Sequence, residues 1–243
     1  MKSIETMITA GLFLIFGSIF GTITFGLFNA LGIDLPEIIK RLIFAGGFGL
    51  IPVLAVATAY NSNVSPSKQD FERGMSRFIF TLTRLLLPLT LIVLLVYLFI
   101  IPFRFMEPFK QREILIVYNV MLFAVIGLLI GVTPIRLDDL SMRTRKALRI
   151  GILFVAGLAS LISVYALSAI LYRTIQGQIT INRLAVIGWN SINIILLGLL
   201  LFRGIKSGKR DWHKELQKVF SFGTNMYILW GIFLVIFIPL LFR

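Results

Sequence analysis

The side chains able to move protons or ligate metals are few, and none stands where membrane chemistry would need it. The 243-residue chain holds 11 Asp and Glu, one His and no Cys. Every carboxylate, from Glu5 and Asp34 to Asp211 and Glu215, falls between apolar segments or at their ends, and His213 sits in a basic stretch. A Ser–His dyad, an aspartyl dyad and an H-E-x-x-H zinc helix are therefore not built into any segment. Thiolate metal sites and disulfides need cysteines, and a multi-histidine metal or haem site needs more than one His. Ion-coupled pumps place carboxylates at membrane depth, and their absence here counts against that class. Asp138 and Asp139 are adjacent, but two neighbouring carboxylates read as a solvated loop rather than a metal site.

Three uncharged or cationic features remain. Arg84 lies within the apolar segment Arg77–Pro102, four residues before Pro88. A buried arginine costs about 2.5–3.5 kcal/mol on insertion scales, so it needs a partner. Snorkelling to headgroups or a bond to a neighbouring carbonyl is the simpler reading; contact with an anion or substrate is the sharper one. The second segment carries Gly46, Gly47, Gly49 and Pro52 within seven residues. That cluster predicts a kink or an unwound turn, which transporters use to expose backbone dipoles, although close packing plus a proline bend explains it more simply. Late in the chain, Asn190 and Asn193 share one helical face beside Trp189, and Tyr165, Ser168 and Tyr172 share another. Such groups ordinarily hydrogen-bond between helices. Thr180 has the type and position of a helix N-cap.

The elements that must position these residues are membrane spans. Hydrophobic residues make up 58% of the chain and charged ones 14%, where a soluble domain carries about 25% charged residues. Seven apolar segments follow one another: Thr6–Leu31, Glu37–Tyr60, Arg77–Pro102, Glu113–Pro134, Ile150–Tyr172, Leu184–Phe202 and Val219–Leu241. Each approaches the ~20 residues of a spanning helix. The first is too long for the core of a cleavable signal and reads as a span. An all-α, polytopic transmembrane helix bundle of about seven spans follows, with residues 1–243 forming a single integral membrane domain.

Fifteen of the 24 basic residues collect on one face, among them Arg143, Arg145, Lys146, Lys209 and Arg210, and eight on the other. The positive-inside rule then puts the amino terminus in the cytoplasm and the carboxyl terminus outside. The net charge of +13 faces the lipid bilayer, with anionic lipid at the basic loops; nucleic acid is not an expected partner. Gly17 and Gly21, and Gly127 and Gly131, form GxxxG pairs, and Ala156, Ala159, Ser163 and Ala166 form a narrow face. These read as packing seams, which a homo-oligomer or a protein partner could share.

Two stretches carry a resemblance. Arg84-Leu-Leu-Leu-Pro88-Leu with the following Tyr97-bearing run, and Tyr172-Arg173-Thr-Ile-Gln-Gly177-Gln-Ile-Thr180-Ile-Asn182-Arg183, are similar to a family of bacterial multi-span membrane proteins catalogued as a domain of unknown function. In that family's turn a tyrosine precedes the glycine, the threonine follows one residue sooner, and an aromatic is common where Leu184 stands here. The resemblance implies an envelope location and a topology, and it marks Thr180, Asn182 and Arg183 as the turn residues to test. The functional expectation is a non-enzymatic integral protein of the cytoplasmic membrane, a scaffold or regulatory component without cofactor or metal. The alternative is a small-solute or lipid transporter using the second segment's break and Arg84.

Overall fold

The computed structural model describes residues 2–30, 32–59, 74–133, 142–207 and 212–241; Asp138 and Asp139 lie outside them. Those residues form helices α1 (Lys2–Ala30), α2 (Glu37–Ala59), α3 (Gly74–Ile100), α4 (Glu107–Lys110), α5 (Arg112–Val132), α6 (Met142–Gln176), α7 (Ile181–Lys206), α8 (Trp212–Ile236) and α9 (Ile238–Leu241). A 3₁₀ turn, Ile101–Arg104, follows α3, and no strand occurs among the described residues. Seven of the helices are long and apolar enough to cross a membrane. The chain is a multi-pass, all-α membrane protein.

It divides into two compact units, residues 1–86 and 87–243. In the first, α1 packs on α2. Phe13 and Ala55 are buried there among Ala10, Leu12, Ile51 and Leu54, and Phe25 stacks on Phe44. Helix α1 ends on Gly32, whose φ of 66° suits a residue without a Cβ. The Gly32 amide donates to the Asn29 carbonyl and the Ile33 amide to that of Phe28, the paired bonds of a Schellman cap.

Two features singled out in the sequence fall in this unit. Helix α2 is helical at every residue from Glu37 to Ala59, so Gly46, Gly47, Gly49 and Pro52 do not unwind it. Proline removes one amide donor, and the remaining ladder carries the helix past it. Among the described residues the three glycines also have open space where a Cβ would stand, so close packing against those residues does not explain them. Arg84 is exposed and lies within α3, which begins at Gly74, ahead of its apolar part.

In the second unit α6 is central, packed on α4, α5 and α7, and α7 packs in turn on α8. Its core face is narrow because its residues are small. Ala156, Ala159, Ser163, Ala166 and Ala169 have no exposed surface, so neighbouring backbones approach closely and gain dispersion energy that lipid cannot supply. The 35 residues of α6 span ~52 Å. That exceeds the apolar stretch Ile150–Tyr172, because Arg143, Arg145, Lys146 and Arg149 belong to two polar turns at the start of the helix that apolar pattern does not mark. Tyr97 and Tyr118 meet edge to face at 5.2 Å, both without exposed surface. Gly17, Gly21 and Gly127, members of the two GxxxG pairs, meet nothing where a Cβ would stand, so these glycines form no seam within the described chain.

Two glycines of α7 behave differently. Gly188 lies against the Trp230 ring of α8, whose indole N–H donates to the Ala185 carbonyl at 3.3 Å. Gly198 has open space. Gly188→Ala should push the indole out and cost about 1–3 kcal/mol, while Gly198→Ala should stabilise by up to ~1 kcal/mol through helix propensity. Thermal unfolding in detergent checks this pair: the two midpoints move in opposite directions, and a shared direction contradicts the packing.

Candidate functional site

The site lies where α5 begins, α6 ends and α7 begins. Helix α6 runs out at Gln176, and the four residues to Thr180 carry the chain to α7. Thr180 caps α7, its Oγ1 accepting the Arg183 amide at 3.4 Å. Arg183 then turns its guanidinium back across the connection. Its Nη1 donates to the carbonyls of Arg173 and Gln178, both at 2.9 Å. Arg173 is in the last turn of α6; its carbonyl also accepts the Gly177 amide at 3.2 Å and belongs to the negative end of the helix dipole. A planar, permanently charged guanidinium suits that end. A Cβ on Gly177 would stand 2.7 Å from that Nη1, so glycine at this position leaves room for the fork.

The locked turn forms one side of a cleft of about 300 Å³, with α5 opposite. Arg112, Arg173 and Arg183 line it together with Asn119, Thr180 and Asn182; Leu115, Ile116, Ile170 and Val186 complete the walls. No carboxylate is in the lining, and among the described residues no ion pair joins any of the three arginines. Nη1 of Arg173 is buried without a hydrogen-bond partner. A buried charged donor left unmade is costly, so the site as built calls for an acceptor from outside the chain.

Beneath the cleft a polar thread enters the bundle. Asn119 returns its amide to the Leu115 carbonyl at 2.7 Å, and its Oδ1 accepts from Nδ2 of Asn190, which also bonds the Val186 carbonyl. One turn on, Oδ1 of Asn193 accepts the Tyr227 hydroxyl of α8. Both asparagines have no exposed surface. Oδ1 of Asn190 and Nδ2 of Asn193 are left without partners, an acceptor and a donor one turn apart. Beside the cleft, Phe109 packs edge on to Tyr165 and Tyr172, and Tyr165 donates to the Phe105 carbonyl at 2.7 Å, an aromatic cluster of the kind found at membrane interfaces.

Of the residues singled out in the sequence, the structure brings Thr180, Asn182 and Arg183 together in the cleft, with Asn190 bonded to its lining residue Asn119. Asn193 belongs to the next turn. Arg84, Gly46, Gly47, Gly49 and Pro52 do not line the cleft. Arg112, Arg173 and Asn119 were not singled out as site residues in the sequence, although Arg173 stands in the turn that carries the resemblance. The two arginines look like ordinary span-end cations, and only the turn geometry shows that they converge. Asn119, an amide inside an apolar run, was the available signal.

No protein-family model matches this chain, and no curated protein or solved structure does so either.

The arginines divide by role. Arg183→Ala removes two charge-assisted bonds that are partly exposed and should cost about 1–3 kcal/mol. Arg112→Ala removes no hydrogen bond or ion pair found among the described residues and should leave the unfolding midpoint in place. Thermal melts of the two variants in detergent check this, and equal losses contradict the lock.

Proposed function

We propose that this chain is a non-enzymatic binding component of the cytoplasmic membrane, holding an anionic group in the Arg112–Arg173–Arg183 cleft at the outer face. The observation that carries the reading is three guanidinium groups lining one small cleft without a carboxylate, one of them with a buried, unpartnered N–H. Arginine forks favour phosphate or carboxylate oxygens, which they bind in bidentate fashion. The lining offers no carboxylate or imidazole to act as general base, which favours holding over turnover. A regulatory or scaffolding role in the envelope follows from binding without chemistry. The transporter alternative draws no support from α2, which is continuous.

The outward placement rests on charge. Arg112, Arg173 and Arg183 belong to the face poorer in Lys and Arg, and the basic start of α6 to the richer one. The amino terminus is then cytoplasmic and the carboxyl terminus outside. Because the natural chain has no cysteine, single replacements report cleanly. Gln178→Cys should react with a membrane-impermeant maleimide in intact cells, and Ser207→Cys only after permeabilisation; the reverse pattern overturns the orientation.

Titration of the purified protein with inorganic phosphate tests the binding. The unfolding midpoint should rise with phosphate in the natural chain. In Arg112→Gln and Arg173→Gln the affinity should fall by about tenfold or more, as loss of a charge-assisted bond implies. No rise in the natural chain, or an unchanged rise in both variants, contradicts the proposal.

A further inference from the structure

Resting on the anion-binding reading, we infer that the cleft's occupant is a single phospholipid of the outer leaflet, its anionic headgroup on the arginines and one acyl chain along α5. The cleft is two-natured. Four of its ten lining residues are aliphatic, and Ile116 among them is 49% exposed. From Ile116 an exposed apolar column continues down α5 through Val120 (50%) and Phe123 (40%). Steps of four and three keep these residues on one helical face. Gly127 is the next on that face, with open space where a side chain would stand. At 1.5 Å per residue, Ile116 to Gly127 spans ~16 Å, about half the ~30 Å hydrocarbon core and hence one leaflet.

The flank of this groove is aromatic. Phe123 meets Trp189 edge on at 5.6 Å, and Trp189 lies 5.4 Å from Tyr227. A flat, rigid wall beside a methylene chain gives contact area at little entropic cost. A free phosphate ion would satisfy the arginines and gain nothing from the aliphatic lining or the column. An amphiphile with the phosphate at one end uses both. Charge chooses the headgroup class: three cations without a carboxylate in the lining favour a net anionic lipid over a zwitterionic one, whose own cation they would repel.

Native mass spectrometry of the protein released from neutral detergent tests this, with phosphatidylglycerol, phosphatidylcholine and water-soluble glycerol phosphate as probes. One phosphatidylglycerol should be retained in preference to phosphatidylcholine. Retention should fall about tenfold or more in Arg112→Gln and in Arg173→Gln. Arg104→Gln, on the same face but paired with Glu107 at 3.8 Å, should leave it unchanged. Val120→Gln, in the groove and outside the cleft, should weaken lipid retention several-fold and leave glycerol phosphate binding intact. If glycerol phosphate binds in an arginine-dependent way while lipid retention ignores the same arginines, the lipid inference falls and the anion site stands. If neither probe depends on Arg112 or Arg173, both fall. Equal losses in Arg104→Gln would reduce the effect to general surface charge and also overturn the inference.

Discussion

Arg183 on the carbonyls of Arg173, in the last turn of α6, and Gln178, in the connection, is the contact on which the shape of the cleft depends. Backbone carbonyls near a membrane interface need donors that lipid cannot supply, and the connection from Gln176 to Thr180 is too short to bring in another element. The guanidinium of Arg183 supplies that donor to Gln178 and adds a second to Arg173, which also accepts the Gly177 amide. In doing so it fixes the angle at which Thr180, Asn182 and Arg173 face α5. The opposite end of the same hairpin repeats the device. Arg149, in the first turns of α6, donates to the carbonyls of Gly204 and Ser207 at the end of α7, at 2.8 and 2.9 Å. Each helix of the pair thus supplies the cap for the other, and the α6–α7 hairpin is closed at both ends by permanently charged forks.

Between those ends, the interior is held by fit. The alanine face of α6 lets its neighbours close in, Gly188 receives the Trp230 ring, and a Cβ on Gly204 would stand 2.6 Å from Leu153. Several hydroxyls are satisfied locally: Thr24, Thr58, Thr133, Ser191 and Thr224 each donate to the carbonyl four residues back. Such back-bonding neutralises a polar group without joining helices. The amides differ, because Asn119 with Asn190, and Asn193 with Tyr227, cross between helices. These asparagine bonds add to the Trp230–Ala185 and Tyr165–Phe105 bonds as polar ties between separate segments, and the Asn119–Asn190 pair sits at the floor of the arginine cleft.

Much of the architecture was legible in the residues. Seven apolar segments of spanning length became seven spanning helices, since lipid leaves a polypeptide few other ways to satisfy its backbone. Their ends were less legible. Met142–Arg149 and Trp212–Lys218 are helical but amphipathic or basic, so hydropathy stops short of them. In α2 the glycines and Pro52 do not unwind the helix, since a long hydrogen-bonded ladder in an apolar medium carries past one missing donor. The cleft was half visible: Thr180, Asn182 and Arg183 sit within four residues and drew attention as a turn. Arg112 and Arg173 were hidden, since convergence of residues 61 positions apart is a property of packing and no local spacing encodes it.

The most direct measurement is an experimental map of the protein in a bilayer containing phosphatidylglycerol, at a resolution that shows side chains. Density for an anionic group is expected within hydrogen-bond distance of Arg112 and of Nη1 of Arg173, with Arg183 still donating to the carbonyls of Arg173 and Gln178. An empty cleft in that bilayer, or a carboxylate of this chain folded into it and pairing with those arginines, would contradict it.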